Sequence, residues 1–169
     1  MRTLAFDPDI IGDSEGSFYQ TMKIEDEIKQ QRFVSPNQKA VINLLYTTNW
    51  LLAKQKDVFK SYNVTLQQFN IMRILRGQHP KSISATEIKG RMLDKNSDVS
   101  RLLDRMIAKG LVSKKTSISD KRAADVNLTQ EGIALLADMD KVQQKLDNII
   151  TLSESDALLL SDLLDRSRG

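Results

Sequence analysis

Residues 96–127 read NSDVSRLLDRMIAKGLVSKKTSISDKRAADVN, and this stretch decides the fold. In its first half, apolar residues recur at three- and four-residue steps, which places them on one face of a helix. They are Val99, Leu102, Leu103, Met106 and Ile107. The opposite face carries polar and charged residues, namely Ser97, Asp98, Ser100, Arg101, Asp104 and Arg105. The pattern predicts an amphipathic helix with a polar, basic outer face.

This helix is predicted to end at Lys109-Gly110, because a cation suits a helix C-terminus and glycine accepts a left-handed closing conformation. Two β-type segments follow, at 111–113 and 125–128. Between them lie four cations and a single acid: Lys114, Lys115, Lys121 and Arg122, with Asp120. A basic helix followed directly by a basic two-stranded ribbon predicts a winged helix, in which the helix enters a major groove of DNA and the ribbon tip reaches a minor groove.

The charge distribution singles out the same region. The whole chain of 169 residues has a net charge of +3, but residues 62–128 hold 13 Lys/Arg against 6 Asp/Glu. Residues 1–61 hold 8 against 8, and residues 129–169 hold 4 against 8. The positive excess therefore sits in one segment, as expected if that module faces phosphates.

The flanking sequence predicts helices with clear start signals. Residues 1–34 are interpreted as an irregular arm with a short amphipathic helix over 17–33. Ser35-Pro36-Asn37-Gln38 begins a helix that runs to about residue 61, which is long enough to meet a partner. Similar signals at Thr65 and Ser84 open two short helices, and Ser82-Ile83 predicts a minimal strand. Residues 62–128 thus form the DNA-binding domain.

The C-terminal part, 129–169, is predicted to be a long helix beginning near Thr129 and a last helix capped by Ser153. Their apolar residues follow a three-and-four rhythm, and we interpret residues 35–61 and 129–169 as dimerisation helices. The fold class is therefore mainly α, a winged helix-turn-helix with a small β-wing between long N- and C-terminal dimerisation helices.

The run from Asp98 to Leu136 resembles the multiple antibiotic resistance regulator (MarR) family of winged-helix transcription factors. Its most specific part is Asp120-Lys121-Arg122 followed by Val126-Asn127-Leu128-Thr129 and Glu131-Gly132. The resemblance implies a homodimer with interlocked terminal helices, a recognition helix at 97–109 and a wing at 111–128. It implies that Arg122 enters the minor groove and that Asp120 braces the wing. It says nothing about residues 1–34.

The DNA-binding interpretation has simpler alternatives. Ser97, Asp98, Ser100, Arg101 and Arg105 either contact bases and phosphates or form a solvated helix face with local charge compensation. Asp98 is equally suited to capping the helix. Lys114, Lys115, Lys121 and Arg122 either contact DNA or form a solvated loop, and four cations in nine residues favour an anionic partner.

Other classes of function have little support in the sequence. The chain has no cysteine and one histidine, His79, so thiol chemistry, a histidine-based metal site and the common nucleophile–base pairs are not expected. No cofactor and no enzymatic activity are predicted, although the sequence does not exclude catalysis by a Ser/Lys pair or a pair of carboxylates. No apolar run is long enough to span a bilayer, and we expect a cytoplasmic protein without membrane contact.

A regulatory ligand is a further expectation. The resemblance implies a small aromatic or phenolic effector, and Tyr46 with Trp50, the sole tryptophan, could line its pocket. The alternative is that Trp50 belongs to the core or the dimer interface. The sequence thus predicts a homodimeric regulator, most simply a repressor, that binds a pseudo-palindromic operator in double-stranded DNA. The alternative is a ligand sensor or protein-interaction module whose winged helix does not bind specific DNA.

Overall fold

The computed structural model describes residues 22–116 and 124–169. The described residues form a mainly helical fold with a small sheet. Its helices are α1 (Ile24–Glu27), α2 (Pro36–Lys60), α3 (Leu66–Arg76), α4 (Ala85–Arg91), α5 (Val99–Ala108), α6 (Gln130–Asp147) and α7 (Glu154–Ser167). Its strands are β1 (Ile83–Ser84), β2 (Val112–Thr116) and β3 (Ala124–Leu128). The chain divides after Tyr46 into two compact units, and the division falls within α2.

In the first unit, the predicted helix over 17–33 is wrong in its described part, because only the four residues of α1 are helical. Lys23 before α1 is extended, and Lys29 after it has a φ of 54°, a left-handed conformation that ends a helix. Ile24 is buried and Ile28 is half-buried one turn later, but the chain leaves the helical conformation directly after Ile28. Residues 17–21 lie outside the described residues.

The start of α2 is as predicted. The Ser35 hydroxyl accepts from the Gln38 backbone N–H at 3.1 Å. The Gln38 side chain accepts from the Val34 backbone N–H at 2.7 Å, one residue before the expected partner. These bonds satisfy N–H groups that a helix N-terminus leaves unpaired.

In the second unit, α3 and α4 both begin with a capping box, which confirms the predicted starts. In α3, Thr65 and Gln68 bond reciprocally at 3.1 and 3.2 Å. In α4, the Ser84 N–H donates to the Glu87 carboxylate at 2.8 Å, and the Ser84 hydroxyl accepts from the Glu87 N–H at 3.2 Å. The backbone and hydroxyl hydrogen bonds from Ser84 lower the pKa of Glu87 below its ordinary value.

The three strands form an antiparallel sheet in the order β1-β3-β2. Val126 in the central strand is fully buried and pairs with Ile83 on one side and Lys114 on the other. The predicted minimal strand is therefore present, although it begins one residue later than expected. The sheet joins the segment before α4 to the ribbon that follows α5.

The hydrophobic core of the second unit is enclosed by α3, α4, α5, α6 and the sheet. Its centre consists of fully buried residues from these elements and from the end of α2, with Phe59 and Phe69 packed at a ring separation of 4.9 Å. The residues at most 1% exposed are Ile71, Met72, Ile88, Met92, Leu103, Met106, Val126 and Leu136. Burial of these apolar side chains is the main stabilising contribution to the unit.

The end of α5 is fixed by glycine, as predicted. Gly110 has a φ of +70°, its N–H donates to Ile107 at 2.9 Å, and the Leu111 N–H donates to Met106 at 2.9 Å. This pair of bonds is a Schellman motif, and Leu111 and Met106 are both buried beside it. The chain is thereby turned directly from α5 into β2.

The two C-terminal helices differ in burial. Leu136 and Met139 of α6 are buried, whereas none of the residues of α7 is buried in the protomer. The Ser153 hydroxyl caps α7 by accepting from the Asp156 N–H at 3.2 Å, as predicted. The exposed apolar residues of α7 are Leu158, Leu159, Leu160 and Leu163.

Candidate nucleic-acid interface

The turn between α4 and α5 is organised by Asp94. One carboxylate oxygen accepts from the Asn96 N–H at 3.0 Å, and the other accepts from the Ser97 hydroxyl at 3.0 Å. The side chain of Asn70 in α3 fixes the start of the turn by accepting from the Leu93 N–H at 3.0 Å. These bonds set the relation between α4 and α5 in a helix-turn-helix arrangement.

The predicted start of the recognition helix requires a correction. The helix was expected from residue 97, but α5 begins at Val99, and Ser97 is 9% exposed in the turn before it. Ser97 is held inward because its hydroxyl bonds to Asp94. It therefore supports the turn and does not lie on the outer face of the helix.

Asp98 is the N-cap of α5. Its Oδ1 accepts from the Arg101 backbone N–H at 3.2 Å, and its Oδ2 lies 3.2 Å from Nε of the Arg101 guanidinium. The sequence left capping and base contact as alternatives for Asp98, and the structure shows the cap. The local charge compensation suggested for this helix face is present at Arg101, where Asp98 is the partner.

The outer face of α5 is exposed along its length. Ser100, Arg101, Asp104 and Arg105 are exposed, whereas Val99, Leu103 and Met106 on the opposite face are buried. Ile107, predicted for the apolar face, is 38% exposed in the last turn, where less of the core covers the helix. The helix thus presents two guanidinium groups, a hydroxyl and one unburied carboxylate to solvent.

Residues beside α5 extend this surface, and sequence reasoning missed them. A recess next to the start of α5 is lined by Thr86 and Lys89 of α4, together with Asn96 and Ser100. Lys95 lies in the same turn, where its ammonium donates to the Gly90 carbonyl at 2.7 Å. Thr86 and Lys89 stand three residues apart on a predicted helix, and this spacing was the available signal that they share a face.

The ribbon places its two described lysines on different faces. Lys114 pairs with Val126 and Lys115 pairs with Asp125, and adjacent residues of a strand point to opposite sides of the sheet. Both lysines are exposed. Lys115 therefore lies on the same face of the sheet as Asp125 and Ser84. Lys114 lies on the opposite face, in line with the buried Val126 and Ile83. The expected wing residues Asp120, Lys121 and Arg122 lie outside the described residues.

The predicted ligand residues, Tyr46 and Trp50, are both exposed side chains. The Tyr46 hydroxyl donates to Glu27 at 2.6 Å, and this bond raises the pKa of the phenol. In the second unit, Trp50 is 40% exposed. His79 is also exposed, in agreement with its interpretation as a surface residue.

A different cavity exists in the second unit. It has a volume of about 310 Å³ and lies where the end of α2 meets α3 and the end of α6. The aromatic rings of Phe59 and Phe69 line it, and Asn70 and Arg73 supply polar groups. The Arg73 guanidinium carbon lies 5.9 Å from the centre of the Phe69 ring. The lining thus combines apolar walls with one cation, Arg73, and one acid, Asp147.

Neither a metal site nor a membrane-spanning helix is found among the described residues. Within 22–116 and 124–169, no group of three or more His, Cys, Asp or Glu residues is arranged to hold a metal ion. Among the helices of these residues, none is long and apolar enough to cross a membrane.

A helix-turn-helix whose second helix exposes arginines, followed by an antiparallel ribbon that rejoins the sheet, defines a winged-helix protein. Residues 64–124 match the model of the MarR family. The chain is 28% identical to the HTH-type transcriptional regulator PecS of Dickeya dadantii over 153 residues, which cover 86% of this chain and 92% of PecS. The chain is therefore similar to MarR-family transcriptional regulators, through residues 64–124 in the family model and through most of its length in PecS.

Solved structures agree with this assignment. The MarR transcription factor from Planctomyces limnophilus matches with a TM-score of 0.61 and 28% identity, over 81% of this chain and 96% of that one. A mutant MarR from E. coli complexed with operator DNA matches with a TM-score of 0.63 and 25% identity, over 80% of this chain and 100% of that one. The predicted family and the predicted fold class are confirmed.

Proposed function

We propose that two copies of this chain bind a pseudo-palindromic site in double-stranded DNA and repress transcription from it. The observation that carries this proposal is the exposed face of α5, where Ser100, Arg101 and Arg105 lie opposite the buried Val99, Leu103 and Met106. Arginine binds guanine edges and phosphates through its planar array of donors, and serine can bond to several bases. A helix of this kind fits the major groove.

The other cations are assigned to contacts with phosphates and with the minor groove. Lys114 and Lys115 on the ribbon contact phosphates, and Lys89 and Lys95 do so beside the start of α5. Lys121 and Arg122 reach a minor groove from the wing tip, and Asp120 braces that tip. The family motif in the sequence supports these three assignments. Phosphate contacts supply affinity for any duplex, whereas base contacts supply the preference for one sequence.

The exposed leucines of α7 support a homodimer. Leu158, Leu159, Leu160 and Leu163 leave an apolar face uncovered on a helix with no buried residue in the protomer. Contiguous exposed apolar surface marks an interaction site, and two-fold dimers are the commonest assembly. A two-fold dimer would place its two α5 helices about 34 Å apart, one turn of DNA.

We further propose that a small aromatic or phenolic acid relieves repression by binding the cavity that Phe59 and Phe69 line together with Arg73. The two rings and the leucines beside them offer an apolar wall, and Arg73 offers a charge for a carboxylate. Binding there would alter the packing of α3, whose Asn70 also holds the turn before α5. The function is thus regulation through binding and not catalysis, in the cytoplasm where the DNA of a bacterial regulator lies.

Selection of bound sequences from random duplex DNA tests the proposal, if it is repeated at two salt concentrations. We expect a symmetric motif with half-sites about ten base pairs apart, and weaker binding at higher salt. A double variant, Arg101→Ala with Arg105→Ala, should lose the motif, whereas Arg166→Ala on α7 should keep it. Absence of any enriched sequence at low salt, together with retained binding of aromatic acids, would favour the sensor alternative that the cavity suggests.

A further inference from the structure

Asp98 makes two contacts with the same residue. Its Oδ1 accepts from the Arg101 backbone N–H and thereby caps α5, and its Oδ2 lies 3.2 Å from Nε of the Arg101 side chain. The Arg101 side chain is nevertheless 80% exposed. Among the described residues, Arg101 makes no other ion pair or side-chain hydrogen bond.

We propose that Asp98 positions Arg101 to read one guanine in each half-site, without itself contacting DNA; this inference rests on the proposed function. The guanidinium is planar, with Nε on one edge and the two terminal amino groups at its far end. With Nε beside Oδ2 of Asp98, the two terminal amino groups make no hydrogen bond of their own with the described residues. Two parallel donors of this kind match O6 and N7 of guanine, which is the commonest specific contact in the major groove.

The Asp98 carboxylate improves the reading of guanine in this proposal, but it weakens non-specific binding to DNA. It offsets one positive charge of the recognition helix, and each charge that neutralises a phosphate strengthens binding to every duplex. In the free protein an exposed ion pair contributes little to stability, because water screens it. When the duplex covers α5 and displaces water, the attraction between Asp98 and Arg101 becomes stronger. Asp98 therefore raises specificity and lowers general affinity.

Substitution with serine separates the cap from the ion pair. Serine is as good an N-cap as aspartate, so Asp98→Ser keeps α5 capped and removes only the contact with the guanidinium. Asp98→Asn keeps the cap and a neutral acceptor, and it should give an intermediate result. Asp104→Ser is the matched control, because Asp104 is an exposed acid on the same helix and its loss changes the net charge equally.

The test first uses Arg101→Ala to find the operator position whose guanine preference depends on Arg101. Duplexes with guanine or adenine at that position are then compared for binding to the wild type and to each variant. We expect Asp98→Ser to reduce the preference for guanine about fivefold, which is part of the discrimination that such a contact supplies. We also expect its binding to random duplex to become about two- to fivefold tighter. Asp104→Ser should show only the second effect.

The results that would overturn the inference are distinct. If Asp98→Ser left the guanine preference unchanged, Asp98 would have no positioning role, and the proposed function would still stand. The same conclusion would follow if no guanine preference depended on Arg101. An equal loss of affinity for all duplexes, with a lower melting temperature, would show that Asp98 only caps the helix. A wild-type protein without any base preference would instead refute the proposed function itself, and this inference with it.

Discussion

A Cβ atom on Gly132 would lie 2.1 Å from the carbonyl oxygen of Leu111. The first turn of α6 therefore rests directly on the junction between α5 and β2. Thr129 strengthens this contact, because its hydroxyl donates to the Gly110 carbonyl at 2.6 Å and its N–H donates to Leu111 at 3.2 Å. The start of α6 is thus tied to the end of the helix that we assign to DNA recognition.

Gly132→Ala should lower the free energy of unfolding by about 1–3 kcal/mol, since the new methyl group meets backbone atoms that can move only with the whole turn. Urea denaturation followed by circular dichroism measures this change. The matched control is Gly90→Ala in α4, where a Cβ atom meets nothing within 4 Å. That substitution should raise stability by about 0.5–1 kcal/mol, because alanine favours the helix. Equal effects at both positions would contradict the close packing of Gly132.

The sequence predicts the elements of this fold well where short-range chemistry decides them. Thr65, Ser84 and Ser153 cap helices as predicted, and Gly110 ends α5 in a left-handed conformation. Hydrogen-bonding caps and glycine conformation depend on a few neighbouring residues, so they are visible in a single sequence. The short α1 was not predicted, because its end at Lys29 follows no glycine or proline.

The candidate site was less predictable, because its residues depend on contacts between side chains. Helical periodicity placed Ser97 outside, yet its hydroxyl turns inward to Asp94 in a turn that periodicity does not describe. Lys114 and Lys115 looked equivalent in the sequence, but they alternate along β2, and the register with β3 decides that Lys114 takes the face of Val126. Register depends on distant residues that pair across the sheet. The roles of Lys121 and Arg122 remain predictions.

The capping box of α4 should make stability depend on pH. The hydrogen bonds from Ser84 lower the pKa of Glu87 in the folded state below its ordinary value of 4.5. The stabilising contribution is therefore complete above that value and is lost as the pH falls through the lower folded pKa. Melting temperatures of the wild type and Glu87→Gln should differ most near neutral pH and converge in acid. The glutamine variant resembles the uncharged box of α3, so a constant difference at all pH values would contradict this prediction.

Charging the exposed face of α7 should separate the dimer. Leu159 and Leu163 are four residues apart and share a helix face, so Leu159→Glu with Leu163→Glu places two carboxylates in the proposed interface. Sedimentation should show a shift from dimer to monomer at micromolar concentration. The helix content should change little, since neither leucine is buried in the protomer. The control is Ser161→Glu on the same helix, and a double variant that remains dimeric would exclude α7 from the interface.

Lys115 should contribute affinity without contributing sequence preference. It is exposed on β2 opposite Asp125, where it can reach a phosphate beside the ribbon. Lys115→Ala should weaken binding to operator and random duplex by the same factor, and it should reduce the slope of log affinity against log salt by about 1. Titrations of both duplexes at four salt concentrations measure these changes. Lys141→Ala removes an exposed charge on α6 that pairs with Asp138, and the slope should then stay unchanged. If Lys115→Ala weakened only operator binding, the lysine would be reading bases, and the assignment of phosphate contact to the ribbon would be wrong.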